Sequence, residues 1–298
     1  MNFEIINPSN TTELLSAVTK LSKKNFRFAA GCTDLLLDLK RKPVKDLTVI
    51  NLQSVKDNRL TGIKKMAKVI RIGAGTTAHA LITDEDICTW FPTLHEAALN
   101  LASTQIRQVA TVGGNLCTAS PSGDIACALM ALNATCEILN TRGKRRSVSI
   151  REFFTGVRTT VLKNNELLYS ITIPLNESSP KTSAGKKLYS GFIKIGTRKS
   201  MECSVVSLAY HIQSDNKGRV TKAGIAIGAA APTIKFTETA AEFLQGIKPG
   251  ELTAIDRKKF ADLILEYASP ISDVRATAWY RKEVLFNISK GLLEAMPA

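Results

Sequence analysis

At 298 residues the chain is long enough for one large domain or two with separate cores. It is 44% hydrophobic and 22% charged, ordinary for a globular protein, and no apolar run reaches the roughly 18 residues a membrane span needs. The net charge of +14 admits nucleic acid, an acidic membrane surface or an acidic protein as partner, but its basic residues fall in small, separated groups with no aromatic-rich basic face. A solvated surface with a docking face for another subunit is the expectation, with no nucleic acid bound.

The opening Met1-Asn-Phe-Glu-Ile-Ile-Asn-Pro8 has neither the basic nor the apolar region of a signal peptide, so a cytoplasmic location is expected. Six cysteines (Cys32, Cys88, Cys117, Cys127, Cys136, Cys203) include no Cys-x-x-Cys pair. That spacing argues against a structural zinc site or a self-contained iron–sulfur cluster and for reduced thiols. His95-Glu96 lacks the second histidine of a zinc-protease helix. No metal site is expected.

Asn10 or Thr11 caps an amphipathic helix with Leu14, Leu15 and Val18 on its buried face. Arg27-Phe-Ala-Ala30 is a short strand entering Gly31-Cys-Thr-Asp34, after which Leu35 to Lys42 resumes helical spacing. Strand, glycine and helix in that order present backbone N–H groups to an anion, although a plain capped connector has the same pattern. Thr48 to Leu52 and Val69 to Gly73 are strands flanking a basic loop around Gly62 to Lys68. Gly73-Ala-Gly-Thr-Thr-Ala78 fits the letter of a dinucleotide fingerprint, but the acidic strand end expected about 20 residues later is missing, so it is discounted.

Leu94 to Leu101 is a helix leading into the stretch that organises the chain, Gln105 to Asp124. Here a β-branched run around Val109 to Val112 breaks at Gly113-Gly114. Paired glycines after a strand would let the backbone approach a ligand and offer consecutive N–H groups to a phosphate. Asn115, Thr118, Ser120 and Ser122 add side-chain donors, and Asp124 is an acceptor for a ribose hydroxyl or a ring N–H. A glycine bulge in a buried strand is the competing reading.

Downstream, Ile125 to Leu132 is a buried helix, Ala134 to Leu139 and Glu166 to Pro174 are strands, and between them the basic turn Arg142-Gly-Lys144 leads to Ser147-Val-Ser-Ile150. The polar segment Asn176 to Gly185 marks the best domain boundary. Strands at Leu188 to Ile195, Val205 to Ile212 and Val220 to Ala229 precede helices at Thr237 to Leu244, Asp256 to Tyr267 and Ala276 to Leu293, giving an α+β C-terminal third.

With both glycine loops in view, the chain resembles the flavoprotein subunit of the molybdenum hydroxylases, such as xanthine, nicotinate and carbon monoxide dehydrogenases. The residues that carry the resemblance are Ala30-Gly-Cys-Thr-Asp-Leu35, Gln105-Ile-Arg107, Ala110-Thr-Val-Gly-Gly-Asn-Leu116, Ala119-Ser-Pro121, Asp124, Ala131-Leu132, Lys194-Ile-Gly-Thr-Arg198 and Ala230-Ala-Pro232. The resemblance implies an α+β fold: a two-subdomain FAD-binding domain of the vanillyl-alcohol oxidase type at 1–176, divided near residue 55, and a smaller α+β domain at 186–298.

It also implies the cofactor contacts. The first loop (Ala29, Ala30, Gly31, Cys32, Thr33, Asp34, Leu35, Leu36) and the second (Thr111, Val112, Gly113, Gly114, Asn115, with Thr118 beyond) would bind the pyrophosphate. Asp124, Leu101, Leu168 and Lys194 would approach the flavin. Cys32 departs from the usual Gly-Gly, and a β-like backbone there would accommodate its side chain.

The implied function is an electron relay. A molybdopterin-binding subunit would hydroxylate the substrate, an iron–sulfur subunit with [2Fe–2S] clusters would carry the electrons here, and FAD would pass them to NAD⁺ or another acceptor. No catalytic acid, base or nucleophile is required of this chain. Three alternatives stand beside this reading: a stand-alone FAD oxidoreductase of the same fold, an assembly subunit without cofactor, and a basic nucleic-acid-binding protein.

Overall fold

The computed structural model describes residues 3–175, 187–198 and 201–296. The expected boundary segment 176–185 lies outside them.

The chain starts with a three-stranded parallel sheet in which Thr48–Asn51 lies between Glu4–Ile6 and Phe26–Ala29. Parallel neighbours need crossovers, and helices Thr11–Lys20 and Leu35–Arg41 lie in those connections. The first is capped by Asn10, whose side chain accepts the Glu13 N–H at 2.9 Å, and it buries Leu14, Ala17 and Val18.

A five-stranded antiparallel sheet follows, ordered Ile63–Lys65, Val69–Gly73, Glu166–Pro174, Thr135–Asn140 and Arg145–Ser149. Its central strand is covered on both faces, which is why Glu166–Pro174 is an almost continuous apolar run. Residues 78–131 fill the space beside this sheet with short helices. In the last of them, Asp124–Ala131, every residue is buried.

The C-terminal part is a four-stranded antiparallel sheet, Leu188–Ile195, Val206–Ser214, Val220–Gly228 and Lys235–Phe236. Strand alternation sends Phe192, Ala209 and Ala226 into the core of the N-terminal part. The opposite face sends Leu208, Ile225 and Ile227 into a second core with Phe260 and Leu285 from helices Ala254–Leu265 and Ala278–Glu294. The sheet is thus the wall shared by both cores. Gly224 makes this closeness possible, because a Cβ there would stand 1.9 Å from the carbonyl oxygen of Ala131.

Two local readings differ from the sequence expectation. The β-branched run at Val109–Val112 is not a strand but the junction of helices Thr104–Val109 and Val112–Thr118. Ser103 caps the first helix, and Thr111 Oγ1 accepts the Gly114 N–H at 3.0 Å to cap the second. Side-chain caps therefore override β-propensity here. The basic loop after Gly62 also contains a short edge strand, Ile63–Lys65, whose exposed lysines concealed it.

Candidate functional site

The first loop leaves the parallel sheet at Ala29 and turns immediately under the second. A Cβ on Gly31 would lie 2.0 Å from the carbonyl oxygen of Val109 and 3.0 Å from Cα of Ala110. Only glycine permits this docking of one loop on the other. At the far side Thr118 Oγ1 donates to Asp34 Oδ2 at 3.3 Å, so both predicted loops meet at two points.

Cys32 has φ 58, in the left-handed region. The expectation of a β-like backbone is thereby corrected: the turn bends the chain back toward helix Leu35–Arg41, and cysteine adopts the geometry that glycine enters freely. Its thiol donates to the Ala30 carbonyl at 3.6 Å, and burial pushes its pKa up. Leu36 is exposed and Leu35 half-buried, with the Leu36 N–H bonded to the Cys32 carbonyl at 3.2 Å. Among the described residues no protein acceptor takes the N–H groups of Cys32, Thr33, Asp34 or Leu35. Consecutive free donors of this kind fit an anionic pyrophosphate.

The second loop is organised differently from the expectation. Gly113 and Gly114 do not follow a strand; they form the first turn of a helix, and their N–H groups are used within the protein. Val112 N–H donates to Thr76 O at 2.9 Å, Gly113 N–H to Ala74 O at 2.7 Å, and Asn115 N–H to Thr111 O at 3.0 Å. Gly113 is glycine because a Cβ there would lie 2.7 Å from both Cβ and O of Ala74. The discounted Gly73–Ala78 segment therefore has a structural role, as the platform on which the second loop rests. Asn115 Oδ1 accepts the Ala126 N–H at 3.1 Å and so caps helix Asp124–Ala131, while Ser120 and Ser122 pair with each other at 3.1 Å.

Asp124 and Lys194, far apart in sequence, form an ion pair of 2.5 Å across the junction of the two parts. Asp124 Oδ1 also accepts from Ser204 Oγ at 2.8 Å, and Lys194 Nζ donates to the Asn100 carbonyl at 2.9 Å. Burial raises the Asp124 pKa, and Lys194 and Ser204 act against that rise. Leu101 follows Asn100 and packs, partly buried, against the core of the N-terminal part, whereas Leu168 is buried in the central strand beside a β-bulge. Asn100 and Ser204 were not singled out in the sequence, since a backbone carbonyl and a lone hydroxyl leave no pattern.

Residues 1–176 match the model of the FAD binding domain in molybdopterin dehydrogenase, and residues 192–295 match the CO dehydrogenase flavoprotein C-terminal domain.

The chain belongs to the FAD-binding subunits of the molybdenum hydroxylases.

A xanthine dehydrogenase FAD-binding subunit of Escherichia coli O157:H7 is 30% identical over 91% of this chain and 89% of its own. The carbon monoxide dehydrogenase medium chain of Afipia carboxidovorans is 28% identical over 95% and 92%. A carbon monoxide dehydrogenase structure from Hydrogenophaga pseudoflava superposes with a TM-score of 0.87 and 26% identity, covering 99% of this chain and 97% of that one. The α+β architecture is therefore that of the molybdenum hydroxylase FAD subunits. No helix among the described residues is long and apolar enough to cross a membrane.

Proposed function

We propose that this FAD subunit is the electron relay of a heteromeric molybdenum hydroxylase. Electrons would come from [2Fe–2S] clusters on an iron–sulfur subunit, and substrate would be hydroxylated on a molybdopterin-binding subunit. NAD⁺ or another acceptor would receive the electrons. Similar proteins named as a subunit or a medium chain, and one whose structure is described by the state of its molybdenum cofactor, support a multi-subunit molybdenum enzyme, and the substrate choice would lie on the molybdenum subunit.

The observation that carries the reading is the docking of Gly31 under Val109 and Ala110, which leaves the N–H groups of Cys32 to Leu35 free for a pyrophosphate. FAD, when bound, would supply one- and two-electron redox chemistry. This chain's own part is to hold it. The first-loop N–H groups would bind the phosphates, with Asp34 and Thr118 closing the turn and the second loop supporting it through Gly31. Asp124, Lys194 and Leu101 would fix the flavin end, with Leu168 in the core behind. The two-part division at 1–176 and 186–298 would set the Asp124 side against the Lys194 side.

The test is the visible spectrum of the purified chain, with identification of any flavin released on denaturation. Bound FAD supports the reading, and a chain that stays colourless after incubation with FAD overturns it. Co-expression with candidate iron–sulfur and molybdopterin subunits, followed by reduction of the flavin on adding the substrate of the complex, tests the relay.

A further inference from the structure

We infer that Ser204 and Asn100 are positioning residues of the flavin site: they hold Asp124 and Lys194 as a fixed ion pair, so that a bound flavin meets a neutralised lysine and not a free ammonium. This rests on the proposed placement of the flavin near Asp124 and Lys194.

Three observations carry it. Lys194 Nζ has two anchors, Asp124 Oδ2 at 2.5 Å and Asn100 O at 2.9 Å, and its side chain is only 11% exposed. Asp124 Oδ1, the oxygen that Lys194 does not use, is taken by Ser204 Oγ at 2.8 Å, and Ser204 itself is buried. The anchors come from three separate places in the chain: Asn100 follows helix Pro92–Leu99, Asp124 opens helix Asp124–Ala131, and Ser204 leads into strand Val206–Ser214. A side chain tied from several rigid elements keeps its rotamer, and supporting contacts of this kind fix the geometry of a site.

The electrostatic consequence follows from burial. A carboxylate out of water is costly unless its oxygens are bonded, so removing the Ser204 hydroxyl favours the neutral form of Asp124. Once Asp124 is neutral, Lys194 loses its counter-charge. Among the described residues, the charged and titratable groups facing Asp124 are Lys194 from the C-terminal sheet and the Cys127 thiol one turn along its own helix. Glu96, on the adjacent helix, is turned away to the Phe192 N–H at 2.7 Å. Ser204 is therefore the side chain whose removal changes the protonation of the pair without removing a charge.

The experiment measures FAD affinity of the apo-protein against pH, by quenching of FAD fluorescence, for the wild type, Ser204→Ala and Ser204→Thr. The wild type should bind FAD with an affinity that falls as the solution is acidified. Ser204→Ala should bind about tenfold more weakly, the loss of one hydrogen bond to a charged group, with its fall-off moved to higher pH. Ser204→Thr should restore both. An Ala variant with an unmoved pH profile overturns the inference, whether or not its affinity drops, because a merely structural defect would not move the midpoint. If Ser204→Ala fails to fold, Ser204→Cys, with its weaker donor, takes its place with the same expected direction. A wild type that does not bind FAD at any pH would overturn the cofactor placement and not the positioning role alone.

Discussion

Gly31 lies so close under Val109 that a Cβ on it would stand 2.0 Å from the Val109 carbonyl oxygen. This single approach joins the parallel sheet, which delivers the first loop, to the helical segment that delivers the second. The atoms that such a Cβ would meet all belong to the backbone of Val109 and Ala110, so no rotamer change can relieve the clash. Gly31→Ala should therefore cost about 2–3 kcal/mol of stability and separate the loops. The expected result is a lower melting temperature together with loss of FAD from the purified protein. A variant with unchanged melting and full flavin content would show that the loops need not touch.

Cys32 should respond in the opposite direction. Its φ of 58 costs a non-glycine residue roughly 1–2 kcal/mol, while glycine adds back about half of that as unfolded-state freedom. Cys32→Gly should raise stability by up to about 1 kcal/mol and leave FAD content unchanged, as read by chemical denaturation of apo- and holo-protein.

His211 gives the fold a pH dependence of its own. Its ring is buried between Ser190 Oγ and Gln213 Nε2, each at 3.0 Å, beside Phe91 and the positive Lys222. Burial, then the Lys222 charge, lowers its pKa from 6.5 to about 3. The folded chain therefore keeps the ring neutral where the unfolded chain takes up a proton. The contribution is fully present above the unfolded pKa of about 6.5 and is lost below it, with a slope of up to about 1.4 kcal/mol per pH unit. Glu166, its pKa lowered chiefly by Arg146, adds to acid sensitivity only below the ordinary glutamate range, and Asp124, its pKa raised by burial, acts with opposite sign. Because those groups are common to both proteins, the difference between wild type and His211→Gln isolates the histidine. Denaturation curves between pH 6.5 and 5 should be shallower in pH for the variant.

Arg281 ties the C-terminal helices to the segment that leads into helix Asp124–Ala131. Buried, it donates to Val205 O at 2.5 Å and Ala229 O at 3.1 Å and pairs with Asp273 at 2.8 Å. Ala229 in turn donates to Pro121 O at 2.7 Å, three residues before Asp124. Arg281→Met should cost about 2–3 kcal/mol by leaving the Val205 and Ala229 carbonyls without this donor, while Asp273 keeps the Arg275 and Ala276 N–H groups and the Arg275 side chain. Arg281→Lys should recover only part of it, because the forked geometry is lost. Thermal melts of the two variants check the order.

Much of this architecture was legible in the sequence where the physical signal was local. Glu166–Pro174 and Leu188–Ile195 have the bounds their apolar patterns predicted, and Asn10 caps the first helix as its residue type suggests. The glycine loops were visible as motifs, but the job of each glycine was not. Gly113 serves Ala74 and Gly31 serves Val109, contacts decided by chain segments far away in sequence. Val109-Ala-Thr-Val112 misled because β-branching is a weak preference that two side-chain caps outweigh. The left-handed turn at Cys32 was hidden because cysteine seldom marks one.

Helix Asp124–Ala131 has no outer face, since the C-terminal strands cover the side that its own half of the chain leaves open. The flavin-binding half is consequently not a portable module. Cut away at residue 175, it would present Cys127, whose thiol donates to the Ala226 carbonyl, to water along with the apolar wall that receives Phe192 and Ala209. Recombining halves from different relatives would have to match Gly224 to Ala131 and Lys194 to Asp124 together, so inheritance of the two halves is coupled at this seam.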